Sequence, residues 1–117
     1  ERQTELIIGI KQDATVGAIL IYGLGGIYTE IFKMVNFLIP PLSLDEIKVS
    51  LRKGNLGFLF KETRGQKPYD LDELAVILQN TSQLSQEAGD IKELDINPLL
   101  IYNDGREGLA IDVKMLI

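Results

Sequence analysis

The residues of this chain that can do chemistry gather near its C-terminus, in the segments ELDINPLLIY at 93–102 and AIDVK at 110–114. Asp95, Asn97 and Asp112 offer carboxylate or amide oxygens, which magnesium, manganese and calcium prefer as ligands. The chain has no cysteine and no histidine, which excludes thiol nucleophiles, imidazole bases and the usual zinc ligands. Any metal bound by these residues must therefore be held by oxygen.

The pair Asp104-Gly105 between the two segments favours a two-residue type I′ hairpin turn. In a hairpin with that turn, Asn97 lies directly opposite Asp112. Directly opposed residues point to the same side of a sheet with Cβ atoms roughly 5 Å apart, so one magnesium ion can bridge the two side chains. Asp95 shares this face, and Lys114 lies opposite Asp95, where it can pair with that acid or reach a phosphate.

The alternate positions of both predicted strands are apolar, and period-two alternation predicts that they pack toward the core. They are Leu94, Ile96, Ile111, Val113 and Met115. The competing interpretation is an ordinary half-exposed hairpin whose acids are merely solvated. A bulge at Glu107-Gly108 would shift the register by one residue and separate the polar side chains onto different faces.

Two further segments are candidates for binding phosphate. Gly25 and Gly26 end a Gly-Leu-Gly-Gly run that either presents backbone N–H groups to a phosphate or forms a tight turn needing positive φ. Arg64, in a Thr-Arg-Gly loop, is either a phosphate clamp or a solvated surface arginine. The glycine run lacks the lysine of a Walker loop.

The remaining pattern predicts strands, then two helices, then the hairpin. Residues 5–11 and 16–23 form a first hairpin, and residues 27–38 are extended. Ser43 with Glu46 is a capping box for a helix that ends at Gly54. Asp70 caps a second helix, whose core stripe consists of Leu71, Leu74, Leu78 and Leu84 and which stops at Ala88-Gly89. This order indicates an α+β layer fold, a mixed or antiparallel sheet with two helices packed on it.

The bulk composition limits the partners. At 117 residues and 45% hydrophobic content the chain has the size of one domain. A formal charge of −5 and the lack of a basic, aromatic-interleaved patch argue against nucleic acid. The most apolar stretches are too short to span a bilayer, so we expect no membrane partner and a cytoplasmic location. Because residue 1 is a glutamate inside a strand-like run, we expect a fragment of a longer polypeptide.

The C-terminal segments resemble the end of the ATP-grasp domain of NDP-forming acyl-CoA synthetases and the β-subunit of succinyl-CoA synthetase. The similarity extends over the whole chain in the same order. It includes TELIIGIKQDATVG at 4–17, YGLGGIYTEIFK at 22–33, IPPLS at 39–43 and TRG at 63–65. The Gly-Leu-Gly-Gly and Asp-Ile-Asn-Pro motifs are specific in combination, although neither is specific alone.

The resemblance implies that residues 1–117 are the C-terminal, metal-holding subdomain of an ATP-grasp domain, with Mg²⁺ and ATP or ADP as cofactors. By likeness, Asn97 and Asp112 hold magnesium between the β- and γ-phosphates, Asp95 faces a phosphohistidine on a swinging segment, and Glu5 meets the ribose hydroxyls. Glu30 matches a family acid that orients a phosphate-side group, with a plain strand-face charge as the alternative. The implied partners are an upstream lid subdomain and a CoA-binding domain or subunit that carries the phosphohistidine.

Three positions depart from the family pattern. Met34 and Leu38 stand where the family has an acid and then a base, and Glu62 stands where it often has glycine. These changes put a polar network beneath the glycine turn in doubt. The favoured function is the nucleotide-binding half of an ADP-forming acyl-CoA synthetase, inactive as a fragment. The alternatives are a non-catalytic nucleotide- or CoA-sensing module fused to a protein acetyltransferase, and a purely structural domain.

Overall fold

The computed structural model describes residues 3–26, 35–62 and 65–117, which build one six-stranded antiparallel sheet with helices on one face. The strands are β1 (Gln3–Asp13), β2 (Gly17–Leu24), β3 (Val35–Leu38), β4 (Glu93–Tyr102), β5 (Leu109–Ala110) and β6 (Val113–Leu116). The α-helices of the described residues are α1 (Leu44–Lys53) and α2 (Leu71–Glu87), with a 3₁₀ helix at Gly57–Phe60 between them. The sheet order is β3-β2-β1-β4, and β4 then pairs with both β5 and β6. The expected α+β fold is confirmed.

The first hairpin forms where the β-branched residues predicted it. Between β1 and β2, the Asp13 carboxylate accepts the backbone N–H groups of Thr15 and Val16 at 2.7 and 3.1 Å, and Gly17 follows with φ of 84°. The aspartate thus pre-forms the turn, and the glycine takes the left-handed conformation that other residues adopt reluctantly. Of the third extended segment predicted at 27–38, residues 27–34 lie outside the described part, and 35–38 form β3.

Both predicted helices begin at the predicted caps. The Ser43 side chain accepts the Glu46 N–H at 3.1 Å while the Glu46 carboxylate accepts the Ser43 N–H at 2.8 Å, so the capping box is complete. Asp70 accepts the Glu73 N–H at 3.1 Å and starts α2. The second helix ends at Glu87 with Ala88 as its C-cap, where the sequence predicted the stop.

The core lies between the helices and one face of the sheet. It contains alternate residues of the central strands, Leu6, Ile8, Ile10, Leu20, Tyr22, Leu94, Leu99 and Ile101, together with Ile47, Leu51, Leu74 and Leu78 from the helices. The opposite face of the sheet carries none of these buried side chains. This face, called the open face below, begins in β1 with Glu5, Ile7, Gly9 and Lys11.

Two packing predictions were wrong. Leu84 is 38% exposed, because the buried stripe of α2 continues from Leu78 through Thr81 and Ser85. Ile111, Val113 and Met115 were predicted to pack toward the core but are about half exposed. Val113 and Met115 lie on β6 at the edge of the sheet, and neither helix of the described residues makes extensive contact with that strand. Their predicted partners Leu94 and Ile96 do contact the core.

No helix among residues 3–26, 35–62 and 65–117 combines the length and the apolar character needed to cross a membrane.

Tyr22 gives the fold a measurable pH dependence. Burial raises the pKa of its hydroxyl, and the hydrogen bond with the Ser50 hydroxyl lowers it by less. Because the pKa is higher in the folded state, the protonated Tyr22 hydroxyl contributes fully to the free energy of unfolding below the unfolded-state pKa of about 10. This contribution is lost as the pH rises through the folded-state pKa. We expect the free energy of unfolding, measured with urea from pH 8 to 11, to fall more steeply in the parent chain than in Tyr22→Phe.

At pH 7, Tyr22→Phe should lower the free energy of unfolding by about 1 kcal/mol, because one partly buried hydrogen bond is lost. Identical pH slopes for the two proteins above pH 9 would contradict the assignment of the alkaline loss to Tyr22.

Candidate functional site

The four polar residues predicted to act together near the C-terminus lie on the open face. Asp95 is the cross-strand partner of Lys114, and the flanking pairs of β4 and β6 keep the same register. The Asn97 N–H donates to the Asp112 carbonyl at 3.0 Å, which places these two residues opposite each other. Asp95, Asn97, Asp112 and Lys114 are all exposed. The predicted register is confirmed, whereas the joint role of these four side chains stays a prediction.

The loop that connects the two segments is wider than a two-residue turn. The pair nearest the loop is Leu100 with Leu109, β4 continues beside β1 to Tyr102, and Gly105 within the loop has φ of 91°. The Arg106 guanidinium donates three hydrogen bonds to the Asp104 carboxylate, at 2.8, 3.0 and 3.1 Å, and lies 4.1 Å from the centre of the Tyr102 ring. These donors lower the pKa of Asp104. Contacts within the loop therefore hold its conformation. The strands on either side of it still have the register that a two-residue turn would give.

A bulge shapes β4 where Asn97 lies, not at Glu107-Gly108 where the sequence allowed one. Leu6 pairs with Leu99 but Ile8 pairs with Ile96, so Asn97 and Pro98 together oppose Ile7. A β-bulge of this kind, with two residues opposite one, changes the direction in which the nearby side chains point. It leaves Asn97 on the open face and lets Leu99 and Ile101 return to the core.

A second group of predicted residues lies at the other end of the open face. The Gly25 N–H donates to the Glu5 carbonyl at 2.9 Å. Gly26 has φ of 71°, and a Cβ at this position would lie 3.4 Å from the Glu5 carboxylate. The three residues border a recess of about 240 Å³ together with Gln3, Thr4 and Leu24. The turn interpretation of the glycine run is confirmed at Gly26, whereas its contact with phosphate stays a prediction.

The two groups are connected by β1. Glu5, Ile7 and Gly9 follow one another on the open face at about 7 Å per two residues. Gly9 pairs directly with Asp95, and Ile7 faces the bulge that holds Asn97. The site is thus a strip along the sheet, with Glu5 at one end, the Asn97 and Asp112 pair in the middle and Asp95 with Lys114 at the other end.

Two predicted site residues, Glu30 and Arg64, lie outside the described residues, so their places relative to the strip stay predictions. The sequence reasoning missed Gly9, although a single glycine inside a predicted strand is a recognised signal of close approach by another group.

The charge distribution of the strip suits a cation shared with a ligand. In the described part of the chain, no group of three or more Asp, Glu, His or Cys residues is arranged to hold a metal. Ion pairs among the same residues join Lys48 to Asp72 and Arg106 to Asp104, so Asp95 and Lys114 are opposed without forming one. An ion held by Asn97 and Asp112 would need further oxygens, and magnesium commonly takes these from phosphates and water.

Comparisons with known proteins identify what the chain is similar to. Residues 1–117 match the family described as ATP-grasp domain. The chain is 34% identical over 113 residues to the β-subunit of acetate–CoA ligase (ADP-forming) I of Pyrococcus furiosus, covering 97% of this chain and 48% of that subunit. It is 36% identical over 111 residues to 4-hydroxybutyrate–CoA ligase (ADP-forming) of Nitrosopumilus maritimus, covering 95% of this chain and 16% of that enzyme.

A solved structure has the same fold. It is acetyl-coenzyme A synthetase 1 of Candidatus Korarchaeum cryptofilum, in complex with coenzyme A and Mg-AMPPCP, with its phosphohistidine segment pointing towards the nucleotide binding site. The TM-score is 0.87 at 28% identity, over 97% of this chain and 53% of that one. The present chain thus spans about half the length of the subunits that it matches, and a much smaller share of the longer ligases.

The geometry of the pair can be tested without an activity assay. We expect Mn²⁺, added with ATP, to broaden the backbone NMR signals of Asn97 and Asp112 at the lowest metal concentrations, because a paramagnetic ion acts on the nuclei nearest to it. The amide of Ile19, on the same face, serves as the control. Earlier broadening at Asp70, Glu73 and Glu107, which line a separate recess of about 270 Å³, would contradict the assignment.

Proposed function

Because the chain belongs to the ATP-grasp family, we propose that it is the magnesium- and nucleotide-binding half of an ADP-forming acyl-CoA synthetase. The parent enzyme would interconvert acyl-CoA, ADP and phosphate with free acid, CoA and ATP. The observation that supports the proposal is the backbone hydrogen bond from Asn97 to Asp112 at 3.0 Å, which sets two exposed oxygen-bearing residues opposite each other on neighbouring strands. The relatives described above do not support an acetyltransferase-fused sensing module, which is not pursued further.

Asn97 and Asp112 would hold Mg²⁺ in this proposal. An amide oxygen and a carboxylate oxygen from neighbouring strands supply two ligands, and nucleotide phosphates with water supply the others. When bound, the ion neutralises the charge on the phosphates and on the transferring phosphoryl group. The protein contributes rigidity, since the backbone bond between these two residues fixes the separation of the strands at 3.0 Å from N to O.

The nucleotide would lie along the strip in the direction of β1. Glu5 accepts hydrogen bonds from the ribose hydroxyls beside Gly25 and Gly26, and the phosphates extend toward Asn97 and Asp112. From Glu5 to Gly9 the strand advances about 13 Å, which gives an extended nucleotide room to reach Asp95. Lys114 opposes Asp95 and offers its ammonium group to a phosphate oxygen.

Asp95 would orient the group that exchanges phosphate with the nucleotide. In the ATP-consuming direction, the bond between the γ-phosphorus and its bridging oxygen breaks, a bond from phosphorus to an imidazole nitrogen forms, and ADP leaves. The chain has no histidine, so the imidazole must come from another domain or subunit. A carboxylate beside the ring fixes its orientation by accepting its second N–H. Glu30 would then orient a phosphate-side group, as the family resemblance implies, and Arg64 would clamp phosphate oxygens with its guanidinium group.

Asp112→Asn tests the metal ligands in the enzyme assembled with its histidine-bearing partner. Removal of the charged ligand should lower the rate of phosphohistidine formation from Mg·ATP by about 100-fold or more, because metal stabilisation contributes several kcal/mol. Higher magnesium should restore part of the rate. A rate within twofold of the parent at all magnesium concentrations would contradict the proposal.

Asp95→Asn separates orientation of the imidazole from nucleotide binding. The rate of phosphohistidine formation should fall by about 10- to 100-fold while the affinity for Mg·ADP, measured by calorimetry, stays within about twofold. The matched control is Glu93→Gln, which removes a charge from the same strand and face one pleat away. Equal losses in the two variants would indicate a general charge effect and reject the role of Asp95.

A further inference from the structure

Gly9 occupies a position at which the local backbone does not require glycine. It lies inside β1 and is paired on both sides, with Ile21 of β2 and with Asp95 of β4. Its φ is outside the left-handed region, unlike that of Gly17, Gly26 or Gly105. The register is continuous through Ile8, Gly9 and Ile10 in both pairings, so no bulge falls on this residue.

A glycine inside a paired strand has a cost, because it loses more conformational freedom on folding than other residues and packs no side chain. Its usual justifications are a bulge, a bend or the close approach of another group. A Cβ at Gly9 would meet the Leu94 carbonyl oxygen at 3.2 Å, so a side chain here would require that carbonyl to move by a few tenths of an ångström. At Gly57 and Gly54 the nearest oxygens would lie at 2.5 and 2.8 Å, so glycine is far more strictly required there.

The surroundings of Gly9 form a row across the open face. Phe37, Ile21, Gly9, Asp95 and Lys114 are successive cross-strand partners on β3, β2, β1, β4 and β6. Neighbouring strands lie about 4.8 Å apart, so the side chains of Ile21 and Asp95 flank a gap spanning two strand spacings, roughly 10 Å. The missing side chain of Gly9 leaves a slot between an apolar wall and a carboxylate.

The chemistry of the walls selects the occupant. A phosphate in the slot would meet the Asp95 carboxylate on one side and the uncharged Ile21 side chain on the other, and the carboxylate would repel it. An imidazole instead has an apolar ring face to lay against Ile21 and an N–H edge to donate to Asp95. Phe37 is 63% exposed and continues the apolar wall outward.

We propose that Gly9 is an access-determining residue, whose missing side chain keeps a slot open beside Asp95 for the imidazole of the partner's phosphorylated histidine. This inference rests on the function proposed above and adds a steric requirement to it. Gly9 itself touches no reacting atom. Its effect is to let the ring reach the floor of the sheet, where the Asp95 carboxylate and the terminal phosphate are both within reach.

The test uses the enzyme assembled with its histidine-bearing domain or subunit, ATP labelled at the γ-phosphate, and magnesium. Gly9→Ala and Gly9→Val fill the slot in two steps. We expect the single-turnover rate of phosphohistidine formation at saturating Mg·ATP to be lower in Gly9→Ala and lowest in Gly9→Val. The loss in Gly9→Val should be about 10- to 100-fold, because misplacement of a reacting group by about 1 Å has effects of this size. The affinity for Mg·ADP should stay within about twofold, and the alanine variant should melt within a few degrees of the parent.

The matched control is Lys11→Val, which puts the same β-branched side chain on the same strand and face in the next row, between Ile19 and Glu93. It should form phosphohistidine at the parent rate. If Gly9→Ala and Gly9→Val also do so, the slot is not used and the inference is overturned, while the proposed function stands.

A joint loss of nucleotide affinity and melting temperature in Gly9→Ala would assign the glycine to folding and also overturn the inference. If Gly9→Val does not fold, Gly9→Ala alone decides between these results. Failure of the parent enzyme itself to form phosphohistidine would reject the proposed function together with the inference.

Discussion

The site depends on the register between β4 and the strand segments that follow the 103–108 loop. In an antiparallel pair, directly opposed residues share a face, and a slip of one residue moves every side chain of a strand to the other face. Asn97 and Asp112 can therefore approach one ion only if this register holds. It is fixed by backbone pairs on both sides of the site, from Leu100 with Leu109 to Glu93 with Leu116. The loop needs only to connect the strands, so its width can depart from a tight turn without moving the site.

The bulge at Asn97 and Pro98 allows β4 to keep that register and still bury side chains in the core along its whole length. Leu94 and Ile96 face the helices in the first half of β4, whereas Leu99 and Ile101, of opposite parity, face them in the second half. A regular strand could not bury all four residues on one side, since its period is two. The extra residue resets the alternation, and the reset falls where the side chain of Asn97 must leave the core. Packing of β4 and presentation of a candidate ligand thus share one irregularity.

Local signals predicted much of this structure. The capping box at Ser43 and the cap at Asp70 act within one helical turn, so both helix starts were readable from the sequence. The Asp104-Gly105 pair led to the correct register even though the loop is wider than a turn of that type. The wrong predictions concern burial, that is, how much of each strand or helix is covered by other parts of the chain. The exposure of Val113 and Met115 depends on where the helices end over the sheet, and periodicity carries no information about that boundary.

The same limit explains what was missed at the site. The bulge results from a mismatch of parity between the two halves of β4, which becomes visible only once Leu6 is known to pair with Leu99. Gly9 was similarly unremarkable until its partner was known to be Asp95. A glycine in a strand is a local observation, but the side chain that it makes room for is a tertiary one. Sequence alone could identify the residue types and their faces, but not which of them would be neighbours.

The sheet separates stability from candidate function by face. The helix side holds the buried apolar residues that dominate the folding free energy, and the open side holds exposed acids, an ammonium group and a glycine that add little to it. Substitutions on one face should therefore leave the other largely unchanged. The exception is the bulge, where Asn97 and Leu99 are two residues apart but serve opposite faces. Changes that regularise β4 there would rotate the ligand and unpack the core together, so the two properties cannot be varied independently at that point.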